Sequence, residues 1–187
     1  MHFTGFVMIF LIGALIERLY EWRFSHQAER GQRKMEWSYT ALHSLYLAVF
    51  AGAAAERLLY PHPVQWWVSG VGGGLFIISM VVRLTAIRTL GRFWSLHLEI
   101  RDQHQLVTEG IYRYLRHPAY SSIMLEVIAV PLVANAYGSL LLSVGAYLPV
   151  LLARWRREER EMIGRFGEQY VAYRQRVPAF FPWPRGQ

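Results

Sequence analysis

The chain has 187 residues, of which 53% are hydrophobic and 18% charged, and it carries a net charge of +7 and no cysteine. Because soluble domains usually carry about a quarter charged residues, this balance favours a membrane protein. The lack of cysteine excludes disulfides, cysteine-ligated zinc or iron–sulfur sites and a cysteine nucleophile. The basic residues lie between apolar segments, so a membrane surface explains them more simply than nucleic acid, for which no binding module is recognisable. No metal site is predicted.

Five segments are apolar enough to cross or deeply enter a bilayer, which takes about 20 residues per helix. They are residues 3–20, 37–60, 64–84, 120–134 and 137–153. Glycines at 70 and 72–74 favour a close helix–helix approach in the third segment. The fourth is short for a full span, and a turn at Asn135 joins it to the fifth as a hairpin. The sequence therefore predicts an all-α integral membrane protein with about five transmembrane helices in a single domain covering residues 1–187.

The basic residues are sharply partitioned along the chain. Five lie between Arg18 and Lys34, six between Arg83 and Arg116, eight between Arg154 and Arg185, and Arg57 stands alone between the second and third segments. The positive-inside rule then places the N-terminus outside and the C-terminus in the cytoplasm, which an odd number of crossings allows. Arg83 and Arg88 are expected to extend their charged groups to the cytoplasmic surface.

Two polar pieces, residues 88–118 and 154–187, are predicted to lie in the cytoplasm. The second is expected to be an amphipathic helix as far as Arg176, ended by the prolines that follow. Glu159 falls on its apolar face, whereas Glu158 falls on its flank. Because a carboxylate on an apolar face needs a partner, Arg154 and Arg156 are candidate partners of Glu159.

The segment from His104 to Tyr120 combines one glycine, three tyrosines, two histidines and two further arginines just before the fourth apolar helix. It offers backbone groups, aromatic faces and imidazoles to a polar cofactor at the membrane interface. The alternative is an ordinary interfacial loop in which tyrosine and arginine anchor helix ends.

Glu126 falls inside the fourth apolar segment, where an ionisable group is a functional hypothesis by default. It is a candidate substrate-binding residue, together with Arg156. The alternative is a structural pair with an arginine or a hydroxyl of a neighbouring helix.

Several motifs together resemble the isoprenylcysteine carboxyl methyltransferase family. They are Leu90-Gly-Arg-Phe-Trp-Ser95, His104-x-Leu-Val-Thr-x-Gly-x-Tyr112, Arg116-His-Pro-x-Tyr120 and a tail with Arg154, Glu158-Glu159, Phe166-Gly-x-x-Tyr170-x-x-Tyr173 and Val177-Pro. The resemblance covers about residues 75–184, and residues 1–74 match only in being apolar and helical. One departure is Ser122, where the family usually has glycine.

The resemblance implies an integral membrane enzyme that binds S-adenosylmethionine in a cytoplasm-facing pocket without a Rossmann domain. Carried over by motif, the implied cofactor-pocket positions are His104, Leu106, Val107, Gly110, Tyr112, His117, Pro118 and Tyr120. The implied catalytic pair at the substrate end is Arg154 and Glu159. Methyl transfer needs alignment and exclusion of water, and Glu159 is the expected proton acceptor if the substrate is a phenol or an enol.

The expected acceptor is a lipophilic small molecule or lipidated group within the membrane: a prenylcysteine-type carboxylate, an alkylated phenol or pyrone, or a lipid amine. Two other classes remain open. Sterol reductases, which use NADPH, carry a similar Arg-His-Pro-x-Tyr segment, but they are longer and need a basic cluster for the 2′-phosphate. The third possibility is a non-catalytic protein of the same fold. It is suggested only by Ser122, which replaces the glycine usual in the family.

Overall fold

The computed structural model describes residues 2–25, 32–34, 36–60, 62–91, 98–100 and 106–182. This part of the chain contains seven α-helices, a 3₁₀ turn at Gly110–Arg113 and a π-helical turn at Ser143–Tyr147. The helices are α1 (His2–Ser25), α2 (Glu36–Leu59), α3 (Trp66–Leu90), α4 (Pro118–Ala134), α5 (Tyr137–Leu142), α6 (Leu148–Phe166) and α7 (Glu168–Arg176). The predicted all-α membrane fold is confirmed, and each of the predicted apolar segments is largely helical.

Three helical stretches among the described residues are long and apolar enough to cross a membrane. They are His2–Leu19, Trp66–Leu90 and Tyr137–Phe166, the last running without a break from α5 through the π-helical turn into α6. α4 is apolar but has only 17 residues, and α2, with 24 residues, is long enough but less apolar. Among the described residues, three helical stretches rather than the predicted five are therefore both long enough and apolar enough for a full crossing.

A short pair of strands was not predicted. β1 (Gln32–Lys34) pairs antiparallel with β2 (Leu98–Ile100), with Arg33 opposite Glu99. Three residues are too few to show the alternation of apolar and polar residues that identifies a strand in a sequence.

α3 and α4 form the most extensive helix–helix contact, and Gly72 is the reason they approach closely. A Cβ atom at Gly72 would lie 2.6 Å from the backbone nitrogen of Val133 and 2.9 Å from the carbonyl oxygen of Ala129. Small residues permit such backbone contact between membrane helices. The predicted role of the glycines in this segment is therefore confirmed at Gly72, whereas added Cβ atoms at 70, 73 and 74 would meet open space.

The turn predicted at Asn135 is present and its side chain is fully buried. Asn135 ends α4 in the left-handed conformation, with φ 56°. Its Oδ1 accepts from the backbone N–H of Gln65 at 2.7 Å, and its Nδ2 donates to Ser69 Oγ at 2.7 Å. The turn therefore fixes the end of α4 to the start of α3.

The tail is not the single helix that the sequence predicted. Gly167 has φ 53° and separates α6 from α7. A glycine in the left-handed region is a common helix terminator, because it has no Cβ to clash with the following carbonyl. The break turns α7 back toward the residues that precede α4.

Candidate active site

The segment after α7 lies alongside the start of α4. The backbone N–H of Arg116 donates to the carbonyl of Pro178, and that of His117 to the carbonyl of Ala179, both at 2.9 Å. Ser121 Oγ donates to the carbonyl of Phe180 at 2.7 Å. These bonds hold the Arg-His-Pro motif between α6 and the C-terminal segment.

Glu159 lies at the centre of a buried polar cluster. Its Oε1 accepts from Arg116 and from Tyr170 Oη, the latter at 2.6 Å, and lies 2.6 Å from His117 Nε2. Its Oε2 lies 3.5 Å from Nε of Arg174. Because Glu159 is only 5% exposed, these partners are what make a carboxylate acceptable at this position.

Two tyrosines of α7 complete the cluster. Burial, followed by the hydrogen bond to Glu159, raises the pKa of Tyr170 well above its usual value, so its hydroxyl stays protonated and donates. Burial likewise raises the pKa of Tyr173, whose hydroxyl donates to the carbonyl of Tyr112 at 2.5 Å. α7 therefore holds in place both the polar cluster around Glu159 and the 3₁₀ turn before α4.

A second carboxylate, Glu158, faces the other side of His117. Its Oε1 lies 3.8 Å from His117 Nδ1, and its Oε2 accepts from Tyr120 Oη at 2.5 Å. Arg154, which is 9% exposed, also interacts with the Tyr120 hydroxyl. The side chain of Glu158 is 25% exposed, against 6% for Glu159. Sequence reasoning placed Glu158 on the flank of the helix and gave it no role.

Most of the predicted cofactor positions lie in this region. Tyr112, His117, Pro118 and Tyr120 are buried, and His117 and Tyr120 are in edge-to-face contact at 5.6 Å. Val107 packs with Tyr112, whereas Leu106 packs with the tyrosines of α7. His104 lies outside the described residues, as does most of the motif that begins at Leu90.

The backbone conformation of Gly110 and its packing against α3 require a glycine, whether or not a ligand binds there. It has φ 56°, and an added Cβ would lie 2.8 Å from Oγ1 of Thr89. Both the backbone conformation and the contact with α3 therefore require glycine here.

Ser122, the departure from the family pattern, is fully buried. Its hydroxyl donates to the carbonyl of Ala119 at 2.7 Å. The additional hydroxyl is therefore satisfied within α4 by a local hydrogen bond.

The expected partners of Glu159 were wrong. The sequence suggested Arg154 and Arg156, but the carboxylate pairs with Arg116 and Arg174. Arg154 is directed to Tyr120 instead, and Arg156 is exposed on α6. Helical spacing within α6 could not reveal this, because Arg116 lies 43 positions earlier in the chain and Arg174 lies on α7, beyond the break at Gly167.

Glu126 lies in a separate ion cluster among the membrane helices. It is fully buried, pairs with Arg18 and Arg83, and accepts from Tyr46 Oη at 2.6 Å. Arg83 also donates to Glu17 at 2.8 Å. This geometry favours the structural alternative for Glu126. The expectation that Arg83 extends to the surface was wrong, because its side chain is 1% exposed.

Within the described residues, no group of three His, Asp or Glu side chains is arranged to hold a metal ion.

Comparisons with known proteins agree with the motif resemblance. Residues 72–164 match the model of the isoprenylcysteine carboxyl methyltransferase (ICMT) family. Protein-S-isoprenylcysteine O-methyltransferase B of Arabidopsis thaliana is 35% identical over 133 residues, covering 69% of this chain and 67% of the relative. The protein-S-isoprenylcysteine O-methyltransferase of Rattus norvegicus is 31% identical over 163 residues, covering 80% and 55%.

A solved structure of the eukaryotic intramembrane Ras methyltransferase ICMT aligns with a TM-score of 0.60 at 25% identity. The alignment covers 80% of this chain and 54% of that one, so the present chain spans about half the length of the solved protein. The matched family segment contains most of α3, the Arg-His-Pro motif, α4 and the Arg154–Glu159 stretch of α6. On these grounds the chain belongs to the isoprenylcysteine carboxyl methyltransferase family.

Proposed function

We propose that this protein is a membrane methyltransferase that uses S-adenosylmethionine to methylate a lipophilic acceptor, a prenylcysteine-type carboxylate or an alkylated phenol or pyrone oxygen. One observation carries the proposal: Arg154 and Glu158 of α6 lie against Tyr120 and His117 at the start of α4. The cofactor-type motif and the substrate-type motif of the family thus meet at one place. Membership in a methyltransferase family favours this function over the NADPH-dependent reductase alternative.

The residues present fit a cationic cofactor. Tyr112 and Tyr120 supply aromatic faces, which attract cations, and Glu158 adds a negative charge beside them. S-adenosylmethionine supplies an electrophilic methyl group when bound. The proposed binding positions are His104, Leu106, Val107, Gly110, Tyr112, His117, Pro118 and Tyr120.

Arg154 is proposed to orient the acceptor. A largely buried guanidinium makes strong charge-assisted hydrogen bonds to an acidic oxygen, and Arg154 lies beside the Tyr120 hydroxyl, next to the proposed cofactor positions. The rings of Trp155 and Phe180, 4.7 Å apart, stand beside His117 and form an apolar wall. The lipidated acceptor named in the relatives' own descriptions suits a site bounded by aromatic rings and apolar helices.

The proposed orientation has the N-terminus outside and the site facing the cytoplasm. Six basic residues lie between Arg83 and Arg116 and eight between Arg154 and Arg185, out of 20 in the chain, and the positive-inside rule places these two segments in the cytoplasm. We also propose that residues 1–187 form one domain, in which the N-terminal helices support the family core.

The test is calorimetric binding of S-adenosylmethionine, its demethylated product S-adenosylhomocysteine, and NADPH to the full chain in detergent. Binding of the first two without NADPH supports the proposal. Binding of NADPH alone moves the protein to the reductase class. If folded protein binds none of the three, the proposal of a cofactor site is wrong and the non-catalytic alternative takes its place.

A further inference from the structure

The helix that runs from α5 through the π-helical turn into α6 keeps one row of exposed residues. They recur at steps of three or four, which is the spacing of one helix face, and they are Leu141, Gly145, Pro149, Ala153, Arg156 and Arg160. The first four are apolar or small and lie in a helical stretch that is long and apolar enough to cross a membrane. In a bilayer, this part of the row therefore faces the lipid chains.

The row changes from apolar to basic where the helix reaches the end of the hydrocarbon core. Tyr137, at the start of the helix, is a residue type enriched at the membrane interface. At a rise of about 1.5 Å per residue, Arg156 lies about 29 Å further along the helix axis, and the hydrocarbon core is about 30 Å thick. The exposed side chains of Arg156, Arg157 and Arg160, here called the basic face of α6, therefore lie at the level of the lipid headgroups.

The glutamates of the same helix do not neutralise the basic face. Glu158 and Glu159 are directed inward, where they accept from Tyr120 and Arg116 of the candidate active site. Glu161, the remaining glutamate of α6, is half-buried. The outward side of α6 therefore carries an excess of positive charge at headgroup depth.

We propose that the basic face of α6 binds the phosphate groups of anionic phospholipids. The planar guanidinium group matches phosphate oxygens with paired N–H donors, and basic residues beside a bilayer are attracted to anionic lipid. A lipid is favoured over a free phosphate, because the row that leads to the arginines already faces acyl chains, so the headgroups of those same lipids lie beside the guanidinium groups. This inference is independent of the proposed methyltransferase function.

A lipid at this face would lie behind the candidate active site. The basic face shares two turns of α6 with Arg154 and Glu158, which point away from it toward Tyr120. A headgroup held on the outer side of α6 therefore fixes the depth at which the candidate active site meets the membrane.

The test measures local lipid preference by fluorescence quenching. The full chain has no cysteine, so Ala153→Cys places a single bimane label on the lipid-facing row, one turn before the arginines. The protein is reconstituted in phosphatidylcholine vesicles that contain increasing fractions of phosphatidylglycerol or phosphatidylcholine bearing a nitroxide near the headgroup end of one chain. Phosphatidylglycerol is expected to reach half-maximal quenching at a fraction about fivefold lower or more, the preference that one arginine near an anionic surface supplies.

Removing the charges of the basic face is expected to abolish this preference. In the triple variant Arg156→Gln, Arg157→Gln, Arg160→Gln, the two labelled lipids are expected to quench equally. The side chains are exposed, so the substitutions leave the interior packing intact. High salt is expected to weaken the wild-type preference, because exposed charges are screened.

The matched control removes three arginines that lie elsewhere, with Arg113→Gln, Arg165→Gln and Arg176→Gln. It changes the net charge by the same amount, and none of these residues is on the exposed row of the spanning helix. Its preference for phosphatidylglycerol is expected to stay close to that of the wild-type chain.

Equal quenching by the two lipids in the chain that keeps all its arginines would overturn the inference, as would an equal loss of preference in the two triple variants. Inorganic phosphate is expected to weaken the preference no more than sodium chloride of equal ionic strength. If phosphate removes the preference when chloride does not, the arginines bind phosphate from solution, and the assignment to lipid is wrong.

Discussion

Nε2 of His117 lies 2.6 Å from Oε1 of Glu159, and this contact links the first turn of α4 to the polar half of α6. The two residues are 42 positions apart in the chain. Arg116 and Tyr170 reach the same carboxylate oxygen, so a single buried charge holds together the two motifs and α7.

This link makes His117 the first residue to test. His117→Ala is expected to weaken S-adenosylmethionine binding about ten- to hundredfold, the range that corresponds to losing one hydrogen bond to a charged group. Calorimetry on the detergent-purified variant measures the affinity. His43→Ala is the control, because His43 is exposed on α2, where its ring contacts Tyr39. Unchanged affinity in His117→Ala would remove this residue from the proposed cofactor site.

Arg154→Ala separates acceptor orientation from cofactor binding. Turnover is expected to be lost while cofactor affinity stays close to wild type, because Arg154 lies on α6 at the proposed acceptor end, whereas the proposed cofactor positions lie between residues 104 and 120. Arg154→Lys keeps the charge but loses the planar, bidentate donor arrangement, so it is expected to restore little activity. Steady-state kinetics and calorimetry on the same preparations check both expectations, and a collapse of cofactor binding would contradict the assignment.

The fold was readable from the sequence where it depends on local signals. Apolar length predicted the helices, Asn135 the turn after α4, and the glycines of α3 a close helix contact. The break at Gly167 was missed, because a glycine within an amphipathic pattern is also tolerated inside a helix. The pairing of Glu159 with Arg174 was missed for the same reason, since Arg174 lies on α7 beyond that break. The pairing with Arg116 was missed because that residue lies 43 positions earlier in the chain.

The motifs identified the region of the site but not the distribution of roles within it. Helical periodicity placed Glu159 on the apolar face of α6 and Glu158 on its flank, and the side-chain exposures of 6% and 25% agree with this. Only tertiary contacts show which groups lie against each carboxylate. In the sequence, Arg18 and Arg83 are basic residues near the ends of apolar segments. Their pairing with Glu126 could not be predicted, because it depends on how three separate helices pack.

The C-terminal segment is expected to be necessary for the site. Truncation after Val177 removes the carbonyls of Pro178, Ala179 and Phe180 that accept from residues 116, 117 and 121. Since each such bond contributes about 0.5–1.5 kcal/mol, the start of α4 loses several kcal/mol of local stability. S-adenosylmethionine affinity is expected to fall sharply with little change in helical content by circular dichroism.

Truncation after Pro182 is the matched control, because it keeps all of these acceptors. It is expected to bind the cofactor as the full chain does. If both truncations bind equally, the contacts along residues 116–121 do not hold the site in place.

Glu126→Gln tests whether the ion cluster among the membrane helices is structural. The substitution removes the carboxylate that Arg18 and Arg83 share, while Arg83 keeps its bond to Glu17. Breaking a buried ion pair by removing one partner costs up to about 3–5 kcal/mol. The variant is expected to show a lower thermal unfolding temperature and a smaller folded yield, with activity per folded molecule retained. Normal stability with lost activity would instead indicate that Glu126 acts on the substrate.

Gly72→Ala tests the contact that joins α3 to α4. The added methyl group would lie 2.6 Å from a backbone nitrogen of α4, and backbone cannot move aside as a flexible side chain can. Overpacking of this kind costs about 1–3 kcal/mol, so the unfolding temperature in detergent is expected to fall. Gly73→Ala adds the same methyl group to open space on the same helix and is expected to be neutral or slightly stabilising, because alanine favours helix over glycine. If the two variants unfold at the same temperature, the backbones of α3 and α4 are not in close contact at Gly72.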